Sequence, residues 1–81
     1  MKSFHPIDVK PLKQYQLLIT FNNKERRIFD VAPYLNDDYF RPLRNQSVFR
    51  TAKVNSLTVE WVGGIDICPD ELYYNSKPQE N

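Results

Sequence analysis

The chain has 81 residues, one cysteine and a formal net charge of +1 from 11 basic and 10 acidic side chains. This length allows one domain with a modest core, and so balanced a charge gives no long-range field that would concentrate a nucleic acid. A lone cysteine excludes an internal disulfide, no apolar run reaches the roughly 18 residues of a membrane span, and the first residues lack the apolar core of a signal peptide, so we expect a cytoplasmic protein.

The first segment, FHPIDVKPL, has the pattern of an edge strand. Phe4, Ile7 and Val9 suit an extended chain. Pro6 and Pro11, in contrast, have no backbone N–H, so they cannot donate the hydrogen bonds that a central strand makes to its two neighbours. We therefore predict a short strand at the margin of a sheet.

A β-hairpin is predicted next, from YQLLITF to ERRIFDV. Its first strand repeats apolar residues at period two, and these share one face: Tyr15, Leu17, Ile19 and Phe21. Asn22 and Asn23 tolerate positive φ and suit the turn. Two registers stay open, since a two-residue loop pairs Phe21 with Lys24 and a three-residue loop pairs it with Glu25.

Two short helical turns are predicted after the hairpin. In DVAPYL the side chain of Asp30 can cap the free N–H groups of the first turn, and in DYFRPL either Asp37 or Asp38 can do the same. Phe40 and Leu43 are three positions apart, so they lie on one side of the second turn and can anchor it to the sheet.

A second hairpin is predicted from SVFRTAKV to LTVEWV, with its turn near Asn55 and Ser56. In its second strand Val59 and Trp61 share one face, because successive side chains point to opposite sides of a strand. We expect this face to be the one that meets the core.

The stretch WVGGIDICPDELY continues with a reversal and a further short strand. Gly63 and Gly64 suit a chain reversal, because glycine accepts positive φ. A phosphate-binding loop is the alternative, but GG alone lacks the longer glycine-rich pattern between a strand and a helix. Ile65 and Ile67 then share one face of the strand, with Asp66 on the other.

A helix is predicted to begin at CPDEL. Cys68 takes the N-cap position, and Pro69 takes the first helical position. The backbone N–H at that position has no acceptor within the helix, so its absence in proline costs no hydrogen bond. Asp70 and Glu71 add negative charge to the positive end of the helix. Leu72 is expected to point back to the sheet, and one of two tyrosines to cover the sheet edge: Tyr73 or Tyr74.

Together these elements predict an α+β fold in a single domain over residues 1–75. A largely antiparallel sheet, made of two hairpins plus short strands, is accompanied by two or three short helices. Residues 76–81 have nothing to bury, so they are predicted to form a disordered tail.

The reactive side chains favour no catalytic centre. Cys68 is followed by two carboxylates that oppose a thiolate, and His5 is far away in sequence, so a Cys–His pair is not indicated. Asp66 and Asp70 could in principle form an acid–base pair, but capping and charge complementarity explain them more simply. The spacing of His, Cys and acidic residues matches no metal site, and nothing indicates a cofactor.

Two sets of side chains are candidates for contact with a partner. Ten tyrosine and phenylalanine residues exceed what so small a core encloses, so some tyrosines should stay on the surface, where tyrosine is a favoured contact residue. The candidates are Tyr34, Tyr39 and Tyr74. Arg41 and Arg44 are helical neighbours that, with Arg50, could grip phosphate or a carboxylate, although a solvated basic face is the simpler interpretation.

The chain resembles the small bacterial proteins called domain of unknown function 2442. The resemblance covers about residues 5–75 and is most specific in the pattern W-x-x-G-x-D-x-x-P-D-x-L-Y. The matching residues are Trp61, Gly64, Asp66, Pro69, Asp70, Leu72 and Tyr73. One departure is Lys24, where similar proteins often have glycine. The resemblance implies a compact α+β domain and no reaction, and it implies a place beside a second small protein in arrangements that look like toxin and antitoxin pairs.

Three hypotheses of function follow. The first is a non-enzymatic interaction module, antitoxin-like or a regulatory subunit, which binds a partner protein or a second copy through a sheet edge or an aromatic face. The second is a weak nucleic-acid-associated regulator that uses the arginines. The third is a small-ligand binder or enzyme centred on Asp66.

Overall fold

The computed structural model describes residues 4–79, which form two antiparallel sheets around one core. The large sheet has the strand order β1-β2-β3-β7, with β1 at Pro6–Pro11, β2 at Gln16–Phe21, β3 at Arg26–Asp30 and β7 at Lys77–Pro78. The small sheet has the order β4-β5-β6, with β4 at Lys53–Asn55, β5 at Thr58–Trp61 and β6 at Ile65–Ile67. The predicted α+β class is therefore confirmed, but with two sheets in place of one.

Short helices connect and cover the sheets. Two are α-helical, α1 at Gln46–Phe49 and α2 at Pro69–Tyr74. Three are 3₁₀ turns, η1 at Lys13–Tyr15, η2 at Ala32–Asn36 and η3 at Asp38–Arg44. No helix within residues 4–79 is long and apolar enough to cross a membrane.

The core joins the inward faces of both sheets, as the period-two pattern predicts. Leu17, Ile19 and Phe21 of β2 are fully buried, and so is Val59 of β5. Trp61 is only 1% exposed. Within each strand these residues are two positions apart, so all of their side chains point to the core side.

The hairpin of β2 and β3 adopts the three-residue loop. Thr20 pairs with Arg26, and the N–H of Phe21 donates to the carbonyl oxygen of Glu25 at 2.8 Å. The positive φ of the turn belongs to Lys24, at 72°, so the expectation that Asn22 and Asn23 supply it is wrong. A three-residue hairpin loop ends on a left-handed residue, and that position falls on the lysine.

The first strand lies at the edge of the large sheet, as predicted, and pairs with β2 along its length apart from a bulge between Pro6 and Asp8. The tight turn that follows was not predicted. Gln14 and Tyr15 both have a φ of 61°, so Tyr15 belongs to the turn and not to the strand face assigned to it. Glutamine and tyrosine carry no local signal for left-handed backbone, which is why the pattern missed the turn.

The segment from residue 45 to residue 52 is the largest error of secondary structure. A strand was predicted over SVFRTAKV, but Gln46–Phe49 is helical and strand structure begins at Lys53. The side chain of Asn45 accepts a hydrogen bond from the N–H of Ser47 at 2.9 Å, so a cap residue starts the helix. Val and Phe favour strands locally, and here capping and burial of Phe49 override that preference.

The predicted caps of the two middle turns are present. The side chain of Asp30 accepts from the N–H of Ala32 at 3.0 Å. The side chain of Asp37 accepts from the N–H of Tyr39 at 2.9 Å, which decides between the two aspartates proposed for this cap. Leu43 is fully buried, so the second turn is anchored to the core as expected.

The C-terminal residues described by the structure are ordered, and the predicted tail over 76–81 is wrong for residues 76–79. Lys77 pairs with Ile28, and the N–H of Gln79 donates to the carbonyl oxygen of Arg26 at 2.9 Å. Ser76 is buried, where its hydroxyl and carbonyl oxygens accept hydrogen bonds from the Arg27 guanidinium, both at 2.7 Å. Residues 80–81 lie outside the described part of the chain.

Candidate functional site

The turn between β5 and β6 depends on glycine for its backbone and not for space. Trp61 pairs with Ile65, which leaves a three-residue loop that ends on Gly63 and Gly64 with φ of 94° and 86°. A Cβ added at either glycine would meet no atom within 4 Å. The two glycines therefore reverse the chain, as predicted.

The tryptophan of the motif ties β5 to α1. Its indole Nε1–H donates to the carbonyl oxygen of Phe49 at 3.0 Å, and the ring centroids of Trp61 and Phe49 are 6.3 Å apart. Because the indole is 1% exposed, this hydrogen bond is shielded from water. Trp61 is a core residue that also satisfies a carbonyl at the end of a helix.

The aspartate of the motif meets one of the predicted contact tyrosines. The Tyr39 hydroxyl accepts a hydrogen bond from the backbone N–H of Asp66 at 3.1 Å and lies 3.3 Å from its carboxylate oxygen Oδ1. The same hydroxyl lies 3.5 Å from the carbonyl oxygen of Gly64. Tyr39 thereby covers part of the free edge of β6.

The start of α2 follows the prediction from CPDEL. Cys68 occupies the N-cap with no hydrogen bond from its side chain, and Pro69 follows at the first helical position. Cys68 is exposed and unpaired. Leu72 is fully buried, so the helix packs on the core through the residue expected to do so.

A second tyrosine holds the helix from the other side. The Tyr34 hydroxyl donates to the Glu71 carboxylate at 2.6 Å. Burial, followed by the hydrogen bond to Glu71, raises the pKa of Tyr34 from 10.0 to about 12. Because its pKa is raised, the folded protein favours the protonated phenol of Tyr34, so this contribution to stability is fully present below pH 10 and is lost as the pH rises through about 12.

Tyr73, the last residue of the motif, links α2 to the hairpin of the large sheet. Its ring stacks on Phe4 at 4.2 Å and meets Phe21 edge-on at 5.0 Å, while the Arg27 guanidinium lies 4.6 Å from its centroid. Its hydroxyl donates to the Glu25 carboxylate, which lowers the pKa of Glu25 and raises the pKa of Tyr73. Of the two tyrosines proposed to cover the sheet edge, Tyr73 packs on the large sheet through these contacts, whereas Tyr74 is 68% exposed.

The three tyrosines expected at the surface differ in exposure. Tyr34 is half-buried between Phe29 and Phe40 and bound to Glu71, so it has little free surface. Tyr39 is 50% exposed and Tyr74 is 68% exposed. Only the latter two present a ring that a partner could contact.

The arginines proposed for phosphate or carboxylate contacts are engaged in different ways. Arg41 forms an ion pair with Asp38 at 2.6 Å. The Arg44 Nε–H donates to the carbonyl oxygen of Leu35 at 3.0 Å, which fastens η3 to η2. Arg50 is exposed near the end of α1. A nucleic-acid surface made from these three residues stays an untested prediction.

A family model described as "Protein of unknown function (DUF2442)" matches residues 6–78. The chain belongs to the DUF2442 family. No curated protein and no solved structure matches it. In this DUF2442 protein the C-terminal motif lies on the small sheet and α2, and Trp61, Asp66 and Tyr73 each bind a different neighbouring element.

The surface around the glycine turn of this DUF2442 protein combines apolar and polar groups. Val62, 60% exposed, begins the turn, and the Tyr39 hydroxyl meets the carbonyl oxygen of Gly64 at its end. We call these two residues with Gly63 and Gly64 the turn surface. A shallow cavity of about 440 Å³ adjoins it. The cavity is lined by Thr51, Lys53, Glu60, Trp61, Val62, Gly63 and Gly64.

Sequence reasoning missed Val62 as a surface residue. The signal was available, because Val62 continues the period-two alternation from Thr58 and Glu60 and so faces away from Trp61. Within residues 4–79, no group of three or more histidine, cysteine or acidic side chains is placed to hold a metal ion. Asp66 is exposed, and its contacts are the structural ones with Tyr39.

Proposed function

We propose that this DUF2442 protein is a non-enzymatic protein-interaction module, the antitoxin-like or regulatory subunit of a two-protein system. The observation that carries the proposal is the turn surface, where two large apolar side chains are exposed at 50% and 60% beside a fixed glycine turn. The family resemblance supports the two-protein setting. One exposed, unpaired cysteine fits the reducing cytoplasm as its compartment.

The turn surface has the chemistry of a contact site. Tyrosine brings a large ring with few rotatable bonds, so binding through it orders little additional side chain. The hydrogen bond between the Tyr39 hydroxyl and the N–H of Asp66 already restricts that ring before a partner arrives. Lys53 and Glu60 pair across β4 and β5 next to the turn and provide opposite charges for a polar rim.

The sheet edges are less suited to binding a partner than the turn surface is. Prolines occupy both ends of β1, which also lies beside β4, so its outer edge is short of free donors. The edge of β6 is capped by the Tyr39 hydroxyl. On the far side of the large sheet, β7 has only two residues and one of them is Pro78. We therefore favour a face over an edge.

The proposal is tested by retention of a partner from a lysate of the host on three immobilised proteins. These are the parent, Val62→Arg and Leu57→Arg. Leu57 is a matched control because it is 52% exposed in the turn between β4 and β5, at the other end of the same sheet. We expect Val62→Arg to lose the partner and Leu57→Arg to keep it, with both variants folded by circular dichroism.

Salt separates a protein partner from a nucleic acid in the same assay. Retention through an apolar and polar surface should persist from about 50 to 200 mM salt, a range over which six to ten phosphate contacts would weaken roughly a thousandfold or more. Equal retention by both variants would reject the turn surface. Steep loss with salt, together with nuclease sensitivity, would favour the nucleic-acid regulator.

A further inference from the structure

A second concave surface lies between the β1–β2 connection and α1, formed by residues that the turn surface does not include. Its volume is about 450 Å³, and it is open to solvent, with both Lys13 and Arg50 exposed. The lining residues are Pro11, Leu12, Lys13, Gln14, Gln46 and Arg50. We call it the Lys13–Arg50 cavity.

The charges of this cavity have one sign. Lys13 and Arg50 both line it, and neither forms an ion pair within the described residues 4–79. No carboxylate is among the lining residues, and Gln14 and Gln46 add neutral amide groups that can donate hydrogen bonds. Two uncompensated cations on a concave surface raise the local concentration of anions, although the net charge of the chain is only +1.

The backbone that forms one wall is held in an unusual conformation. Gln14, at φ 61° and ψ 34°, is followed by a second left-handed residue, Tyr15. Left-handed backbone costs a non-glycine residue roughly 1–2 kcal/mol, so the surrounding structure must impose it. It does so at Tyr15, whose ring meets Phe49 edge-on at 5.3 Å and whose carbonyl oxygen accepts from the N–H of Val31 at 2.9 Å.

The opposite wall is also fixed. The Tyr15 hydroxyl donates to the carbonyl oxygen of Arg44, just before the Asn45 cap that starts α1. This one side chain therefore connects the turn that carries Lys13 to the start of α1, and its ring contacts Phe49, the residue before Arg50. The two cations are attached to backbone segments whose separation is set before any ligand binds, which reduces the ordering cost of binding.

We propose that the Lys13–Arg50 cavity binds the oxyanion group, phosphate or carboxylate, of a small molecule. Arg50 offers a planar fork suited to two oxygen atoms, Lys13 a second charge, and the two glutamines neutral donors. A nucleic-acid backbone is a poorer ligand, because it needs a row of cations along a strand, whereas this cavity presents one pair. The site is independent of the turn surface and of the function proposed for it.

The experiment is a titration of the full chain, labelled with ¹⁵N, with inorganic phosphate and separately with citrate. Potassium chloride at matched ionic strength serves as the reference. We expect saturable amide shifts confined to residues 12–14, 46 and 50 with at least one of the two anions and not with chloride. Saturation by phosphate alone assigns a phosphate ligand, by citrate alone a carboxylate ligand, and by both a general oxyanion site.

Substitutions test whether Lys13 and Arg50 are the side chains that bind the anion. Arg50→Gln and Lys13→Gln should each raise the half-saturating concentration by about tenfold or more, since a charged hydrogen bond is lost. Lys77→Gln, which removes an exposed lysine from β7, should leave it unchanged. Shifts that do not saturate, that chloride reproduces, or that survive Arg50→Gln and Lys13→Gln would overturn the proposal.

Discussion

The large and the small sheet differ in what holds their strands together. Strands β1 to β3 have five or six residues each, and β2 alone contributes Leu17, Ile19 and Phe21 to the core. Strands β4 to β6 have only three or four residues. The small sheet buries Val59, Trp61, Ile65 and Ile67 in the same core. Its short strands are also held by individual side-chain bonds, from Trp61 to α1 and from Tyr39 to β6.

This difference bears on the C-terminal stretch from Trp61 to Tyr73. A long strand tolerates exchange of one apolar residue for another, because several neighbours share its burial. A strand of three residues loses its attachment when one side chain changes. On the small sheet, Trp61, Gly64 and Asp66 each have a separate structural role.

The largest effect is expected from Trp61→Ala, which removes the main attachment of the small sheet. Loss of a buried indole, with the carbonyl oxygen of Phe49 left with only the longer hydrogen bond from the N–H of Ala52 at 3.3 Å, should cost about 3–5 kcal/mol of unfolding free energy and can unfold a domain of this size. Chemical denaturation measures it. Val62→Ala, at the exposed neighbouring position, should change stability by less than about 0.5 kcal/mol. Equal stability of the two variants would contradict the assigned role.

Gly64→Ala should cause the second-largest loss of stability. At a φ of 86° an alanine is strained by roughly 1–2 kcal/mol, although no atom blocks its Cβ. Gly64→Asn is the matched control, because asparagine tolerates left-handed backbone and should cost less. If both variants lost the same free energy in thermal unfolding, backbone strain would not be the cause.

Tyr39→Phe removes the hydroxyl that caps β6 and keeps the ring. The N–H of Asp66 loses its side-chain acceptor, so we expect a loss of about 1 kcal/mol and faster hydrogen exchange at that amide. Tyr74→Phe serves as the control, since the Tyr74 hydroxyl has no hydrogen-bond partner within residues 4–79. An unchanged exchange rate at Asp66 would show that the hydroxyl does not protect this edge.

In the large sheet, Lys24→Gly should raise the free energy of unfolding, whereas the substitutions at Trp61, Gly64 and Tyr39 lower it. Glycine removes the strain of a φ of 72° but adds freedom to the unfolded chain, which leaves a net gain of roughly 0.5–1 kcal/mol. Lys24→Ala keeps the strain and should bring no gain. Destabilisation by Lys24→Gly would mean that contacts of the lysine outweigh its backbone conformation.

The smallest effect is expected from Cys68→Ser at the start of α2. The thiol is exposed and makes no capping bond, whereas serine can accept one from the first turn, so stability should stay within about 0.5 kcal/mol of the parent. Thermal unfolding under reducing conditions checks it. A folded variant that no longer bound the partner would give Cys68 a role in binding.

The sequence predicted those parts of the fold in which local pattern and tertiary contact agree. The period-two face of β2, the aspartate caps and the helix start after Cys68 are such cases. Each needs only residues that are close together in sequence.

The errors arise where a distant residue decides the structure. Strand preference at Val48 and Phe49 gave way to α1, whose end is bound by Trp61, twelve positions away. Strand β7 forms because Arg27 binds Ser76, 49 positions away, and no local signal marks that pairing. The hairpin register stayed open between two loops, because the three-residue loop needs left-handed backbone at Lys24 and lysine carries no local signal for that conformation.

The candidate site was predicted only in part. Tyr39 and Tyr74 are exposed as expected, and Tyr34 is enclosed because Glu71 provides an acceptor that the one-dimensional pattern could not place beside it. Val62 was overlooked, although the alternation of β5 places it outward. Lys13 and Arg50 come together only through the turn at Tyr15, which has no recognisable turn sequence.

The single tryptophan makes the small sheet visible to optical spectroscopy on its own. Trp61 is 1% exposed and bound to α1, so its emission should be blue-shifted and resistant to quenching by iodide in the folded protein. Circular dichroism in the far ultraviolet sums over all of the backbone, including the longer strands of the large sheet. If the emission shifts to the red before the dichroism is lost, β5 detaches from α1 before the large sheet unfolds.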